Sequence, residues 1–374
     1  MQIRSKICKQ RIVFDGYYGY QNTGDDAFIE VVSWGATNKW RVEKYRFLGK
    51  QLPMTKVTAN GYPLALKGTY SMQARFLISQ SDYFISAGGS TFHNINPTGY
   101  KYYAKNIREN NSGLNLGAIG VSIGPFDLVE HEREVIAYLR EMNFLCLRDE
   151  VSYEYAKSLG LPYEPTRAFD LAALLPLVYG DKNVEEKNIN SKRIIGISIC
   201  NYESYVRNGN LSQEQKRNKY IEELLRRLDN EGNFKFCFFI FNNNPKTGDL
   251  ALTNSIIAKI SPKDYEIVPY YRKTEKMWNK IKRCDLMLST RLHAGILACF
   301  AGVPFFMIEY HRKCSDFLHD VGYFERYRIY DAEKGLIEAT DCILKTLEDN
   351  IFIKPKYVVE MTKMAMLNFD MVKI

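Results

Sequence analysis

The chain has 374 residues, enough at roughly 150 residues per domain for about two domains with their own cores. That excludes a peptide or a disulfide mini-scaffold. Apolar residues make up 46% and charged residues 25%, a globular balance that leaves little room for a long disordered region. The formal charge of +8 comes from basic residues spread along the sequence, so no Lys/Arg block marks a nucleic-acid interface and no nucleic-acid partner is expected.

The opening stretch MQIRSKICKQRIVFDG is basic and has no apolar signal-like core, and the longest apolar runs, FCFFIF and VPFFMI, fall far short of a membrane span. A cytoplasmic location is the expectation. Residues 11–15 read as the first strand and Asp25 to about Ala36 as a helix. Further strands are expected at 83–87, 116–123 and 144–147, with a helix over Leu128 to Met142. This alternation marks βα units around a parallel sheet. The polar stretch GDKNVEEKNINSK, residues 180–192, reads as a linker between a first domain (1–179) and a second (193–350). The pattern then restarts, with strands at 194–199, 236–241, 266–269, 286–289 and 305–308. In the tail (351–374), Val358, Met361, Ala365, Phe369 and Val372 recur at helical spacing, predicting a terminal helix that packs back on the domains. The eight cysteines form no CxxC pair and read as reduced, mostly buried thiols.

In such folds ligands sit beyond the carboxyl ends of strands, so the strand-to-helix junctions are where chemistry is sought. The first junction, Gly16 to Asp26, carries Asn22, Gly24, Asp25 and Asp26; the two acids suit either ligand contact or the start of a helix. At the second, SAGGST, Gly88 and Gly89 would let backbone approach a ligand closely. Arg148 follows an apolar run and precedes Asp149 and Glu150, where it could equally form a local ion pair. The most informative junction is LMLSTRLHAG followed by VPFFMIEYHRK. Here Ser289 or Thr290 could cap a helix, beside Arg291 and His293, with Lys313 opening the helix after the next strand. This combination offers an anion site with a proton donor in it. No carboxylate cluster accompanies it, and neither a metal nor a cofactor is expected.

The segments GYYGYQNTGDDAFIE, SAGGSTF, SIGP, LRDEVSYEYAKSLG and above all STRLHAGILACFAGVPFFMIEYHRK resemble the polysaccharide pyruvyltransferase family over roughly residues 11–322. The resemblance implies a GT-B-like pair of Rossmann-type α/β domains with a ligand cleft between them. It implies transfer of pyruvyl from phosphoenolpyruvate to two hydroxyls of one sugar as a cyclic ketal, in exopolysaccharide or capsule synthesis. Matching positions make His293 and Arg291 candidate catalytic residues, and Arg148, Ser289, Arg291, His293 and Lys313 candidate phosphoenolpyruvate ligands. Asn22, Asp25, Asp26, Gly88 and Gly89 are assigned to the sugar acceptor. A lipid-linked acceptor and peripheral contact with the inner face of the membrane fit this reading, and oligomeric state is left open. A nucleotide-sugar glycosyltransferase and a non-catalytic sugar-binding relative are the alternatives. The segments 40–70 and 201–215 match no motif and are candidates for acceptor specificity.

Overall fold

The computed structural model describes residues 8–56, 68–110, 113–180, 192–206, 209–349 and 351–374. Most of the 180–192 linker and residues 57–67 of the 40–70 segment therefore lie outside the described residues. Contacts divide the chain into two units: unit 1 holds 1–20, 25–178 and 359–374, and unit 2 holds 21–24 and 179–358.

Unit 1 is built on six parallel strands: β1 (Cys8–Asp15), β2 (Val42–Phe47), β3 (Tyr83–Phe92), β4 (Asn115–Ile123), β5 (Phe144–Leu147) and β6 (Thr166–Arg167). Their order is β2-β1-β3-β4-β5-β6, with Val13 of β1 opposite Phe84 of β3. The central strands are apolar almost without interruption because helices cover both faces of a parallel sheet. Phe84, Leu116, Val121 and Leu147 are all fully enclosed, and Ala74, Ala104, Val135, Leu139 and Ala156 of the flanking helices pack on the same core.

Two of these strands escape sequence reading. β2 is an edge strand whose Glu43 and Lys44 are exposed, the charged character that keeps edges from pairing with other chains. β6 is only two residues long. β3 runs five residues further than its expected end, taking in Gly88 and Gly89 at φ +77° and +80°. Only glycine adopts that left-handed geometry cheaply, and the β3–β4 register shifts just after it. Gly88 also lies directly against Phe28, where a Cβ would come within 2.4 Å of the ring.

Unit 2 has five parallel strands: β7 (Arg193–Ser198), β8 (Phe234–Phe239), β9 (Tyr265–Val268), β10 (Leu286–Ser289) and β11 (Phe305–Met307), in the order β11-β10-β7-β8-β9. Its core joins Ile195, Ile197, Phe236, Phe238, Leu286 and Leu288 to Leu224, Leu228 and Ile343 of the covering helices. Among the described residues, no helix is long and apolar enough to cross a membrane.

The final helix, Val358–Asp370, buries Met361, Ala365 and Phe369, with Val372 buried just beyond it. Asn368 is wholly enclosed in unit 1. Its Oδ1 accepts from the Gly120 amide at 2.7 Å, and its Nδ2 donates to the Phe169 carbonyl at 2.9 Å. Trp40 Nε1 likewise donates to the Phe369 carbonyl at 3.0 Å.

Candidate functional site

Strand order in unit 2 reverses between β7 and β10, so the two chains leaving those strands part to opposite sides and open a crevice at their carboxyl ends. The backbone there is stitched across the gap: the Thr290 amide donates to the Ser198 carbonyl at 2.9 Å, and the Cys200 amide donates to Thr290 Oγ1 at 2.8 Å. These bonds correct one expectation. Neither hydroxyl caps the helix Leu292–Ala301; its N-cap residue is Arg291, which makes no side-chain cap bond, and Ser289 Oγ instead donates to the Arg291 carbonyl at 2.6 Å. The helix start thus keeps amide donors that its cap residue's side chain does not take up.

Arg291 does not project alone. Its Nε lies 3.0 Å from Asp249 Oδ1, and its terminal nitrogen donates to the same oxygen. Asp249 is enclosed and also accepts from the amides of Phe241 and Asn242 at 3.1 and 2.9 Å. Burial pushes the Asp249 carboxyl up, against the pull of Arg291 and the two amides. Burial also works against the Arg291 charge, but Cys200 and Asp249 outweigh it and hold the guanidinium above its ordinary range. The arginine is a fixed cation at every physiological pH.

The same 241–243 stretch anchors residues 21–24. The Thr23 amide donates to the Phe241 carbonyl at 2.9 Å, the Asn243 amide donates to the Gln21 carbonyl at 3.0 Å, and Asn22 forms an isolated bridge with Asn242. Gly24 then lies flat against His293: a Cβ at that position would sit 2.3 Å from Nδ1 and 2.5 Å from Cγ. A glycine is required here by the imidazole rather than by backbone torsion.

On the β11 side, Lys313 lies in the first turn of the helix Arg312–Asp320, and its amide donates to His311 Nδ1 at 3.1 Å. Burial, together with the Lys313 and Arg312 charges, pushes His311 down to about 4, so it is a neutral cap and not an acid. Tyr202 packs against both Tyr310 and His311, with ring centroids 5.2 and 5.1 Å apart. Behind them Arg217, with no exposed surface, donates to Asp331 at 2.6 Å and to Glu203 at 3.0 Å, and stacks on Tyr310 at 5.1 Å. This ion cluster fixes the described part of the 201–215 segment.

The remaining expected residues lie in unit 1. Arg148 is 8% exposed and fully engaged: Nε donates to Ser122 Oγ at 2.7 Å, one terminal nitrogen to Asp170 at 2.8 Å and the other to Ser90 Oγ at 3.1 Å. The local pairing considered for it does not form. Asp149 caps the helix Glu150–Ser158 through the Ser152 amide, and Glu150 pairs with Arg167 at 2.5 Å. Asp25 lies near Gly89, whose Cβ would fall 3.8 Å from Asp25 Oδ1. Asp26 is 1% exposed, within the body of unit 1.

Asp249, Arg217, Tyr202 and Tyr310 are additions the sequence reading did not make. An acid that begins a helix reads as a cap, and nothing local says that Asp249 meets an arginine 42 residues away.

The polysaccharide pyruvyl transferase family matches residues 7–312 of the chain. Comparison with curated proteins found no significant match. Among solved structures, a Listeria monocytogenes protein named as a UDP-N-acetylglucosamine 2-epimerase superposes with a TM-score of 0.63 at 9% identity, covering 98% of each chain. The UDP-GlcNAc 2-epimerase of Methanocaldococcus jannaschii gives 0.58 at 12% identity, covering 95% of this chain and 99% of its own. Anabaena HepE, solved with UDP and glucose, gives 0.53 at 10% identity, covering 96% and 95%. At these identities the likeness shows the fold, a GT-B-like pair of Rossmann-type units.

Proposed function

Because the chain belongs to the polysaccharide pyruvyl transferase family, we propose that it moves pyruvyl from phosphoenolpyruvate onto two hydroxyls of one sugar in a polysaccharide or its lipid-linked precursor. The products are a cyclic ketal and inorganic phosphate. The observation that carries this reading is the Arg291–Asp249 pair beside His293 at the switch point of unit 2. A buried, permanently charged fork and the amide-rich start of the Leu292–Ala301 helix suit a donor that brings both a carboxylate and a phosphate.

In the proposed reaction His293 gives a proton to the methylene carbon of the donor, and C2 gains oxocarbenium character. The first sugar hydroxyl adds there and returns its proton to His293, phosphate leaves as the C2–O bond breaks, and the second hydroxyl closes the ring, giving its proton to the departed phosphate. Arg291 and Lys313 neutralise phosphate and carboxylate, and Ser289 fixes the Arg291 backbone. Asp25, Gly88 and Gly89 are assigned to the acceptor side, with the reaction in the cytoplasm or, for a lipid-linked acceptor, at the inner face of the membrane.

One structural relative is named for a UDP-sugar and another was solved with UDP and glucose, which makes a nucleotide-sugar donor the competing reading. The two separate cleanly. Phosphate release from phosphoenolpyruvate that depends on an added glycoside supports the proposal, whereas nucleotide release from a UDP-sugar, with none from phosphoenolpyruvate, replaces it.

A further inference from the structure

In the unit 2 order β11-β10-β7, Arg291 lies just beyond the middle strand, Tyr310 just beyond β11 and Tyr202 just beyond β7. β11 and β7 are not neighbours. With about 4.8 Å between adjacent strands, their ends stand about 10 Å apart. The rings of Tyr202 and Tyr310 nevertheless come within 5.2 Å of one another, so this aromatic pair spans the end of β10, where Arg291 leaves. The backbone holds the Tyr310 side of the span. The Ile308 amide donates to the Ser289 carbonyl at 2.8 Å, and the chain then turns sharply, the Tyr310 amide donating to the Ile308 carbonyl at 3.0 Å.

The protein engages the Tyr310 ring and leaves its hydroxyl. Arg217 stacks on the ring at 5.1 Å, with Tyr202 and His311 at 5.2 and 6.1 Å, and Arg217 is itself fixed by Asp331 and Glu203. Among the described residues the hydroxyl has no hydrogen-bond partner, and it is not sealed from solvent in this half-buried side chain. A phenol locked in place with its polar end unused is preorganised for a ligand, because the cost of ordering it is already met.

Its surroundings select the ligand's charge. Tyr310 and Cys200 each act electrostatically on Arg291, and both it and Cys200 act on Tyr310, so these groups share one small region. Burial above all, with Cys200 and Cys314 beside it, pushes the phenol well above its ordinary range against the pull of Arg291. It therefore keeps its proton and can donate. Part of the Arg291 fork is committed to Asp249, so an anion with several oxygens needs donors besides that guanidinium.

We propose that the Tyr310 hydroxyl is a further anion-binding group of this site, donating its hydrogen bond to a phosphate or carboxylate oxygen held by Arg291. The proposal rests on the pyruvyl-transfer reading only in naming phosphoenolpyruvate as that anion.

The test is calorimetric titration of the full chain with phosphoenolpyruvate, inorganic phosphate and UDP, comparing wild type with Tyr310→Phe and with 4-aminophenylalanine incorporated at position 310. Phenylalanine keeps the ring contacts and loses only the donor, and the amino side chain puts a donor back. Phosphoenolpyruvate should bind Tyr310→Phe about tenfold to a hundredfold more weakly, the worth of one hydrogen bond to a charged group. The amino side chain should recover most of that loss, and the ligand-free melting temperature should stay at the wild-type value in both. In turnover the loss should appear in KM, with kcat nearly unchanged. Equal affinity of wild type and Tyr310→Phe for every compound that binds, no binding of any of them by wild type, or a loss that the amino side chain does not restore overturns the assignment. Binding of UDP but not phosphoenolpyruvate, weakened in Tyr310→Phe and restored by the amino side chain, upholds Tyr310 and removes the phosphoenolpyruvate reading instead.

Discussion

A guanidinium paired with an enclosed carboxylate and a histidine pressed against a glycine are different kinds of device, and substitution should separate them. Arg291→Lys replaces the planar fork by a point charge and should mainly raise the KM for phosphoenolpyruvate. His293→Asn should leave donor affinity in place and lower kcat by about 10²- to 10⁴-fold, the usual worth of a general acid. Near-normal turnover in His293→Asn would take the imidazole out of the mechanism. Gly24→Ala follows from the same contact: a methyl 2.3 Å from Nδ1 forces the ring aside, and displacement of a reacting group by about 1 Å costs on the order of 10²-fold. Kinetics on Gly24→Ala, with its melting temperature as a control for folding, should show a kcat defect resembling that of His293→Asn. Arg291, His293 and Lys313 were legible because they follow two successive strands. Asp249 and Arg217 were not, because their meaning lies in partners far along the chain.

At the scale of single elements, the helix Arg312–Asp320 carries a pH dependence whose sign can be worked out. His311 is depressed to about 4 in the folded protein, first by burial and then by Lys313 and Arg312, against about 6.5 when unfolded. The unfolded chain therefore binds the extra proton first. The stabilisation is complete above pH about 6.5 and is lost as pH falls towards 4. His311→Asn keeps an acceptor for the Lys313 amide but does not titrate. Urea unfolding at pH 7 and pH 4.5 should show a smaller loss of stability for the variant than for wild type; equal losses would contradict the assignment.

The last helix makes a second element-scale prediction. Asn368→Ala leaves both the Gly120 amide and the Phe169 carbonyl without their partner in a closed core, and should cost unit 1 about 2–5 kcal/mol in urea unfolding. Most strands were readable as short apolar runs between turns. β2 was hidden by its exposed Glu43 and Lys44, and the full length of β3 by two glycines that normally end a strand.

For the whole molecule, the βα alternation, the two parallel sheets and the family motifs were all present in the sequence. What it withheld was which junctions matter. Two glycine-bearing loops of similar appearance have different surroundings: residues 21–24 are laced into unit 2 against His293, whereas Gly88 and Gly89 lie inside β3 of unit 1. Only strand order separates a switch point from an ordinary strand end, and strand order is a property of pairing between distant segments.

The central claim is pyruvyl transfer, and the mass of the acceptor tests it most directly. After incubation of the full chain with phosphoenolpyruvate and a panel of methyl glycosides, mass spectrometry should find one glycoside heavier by one pyruvic acid less one water, with phosphate released in equal amount. An unchanged panel, together with a glycosylated product formed from a UDP-sugar under the same conditions, would contradict the account.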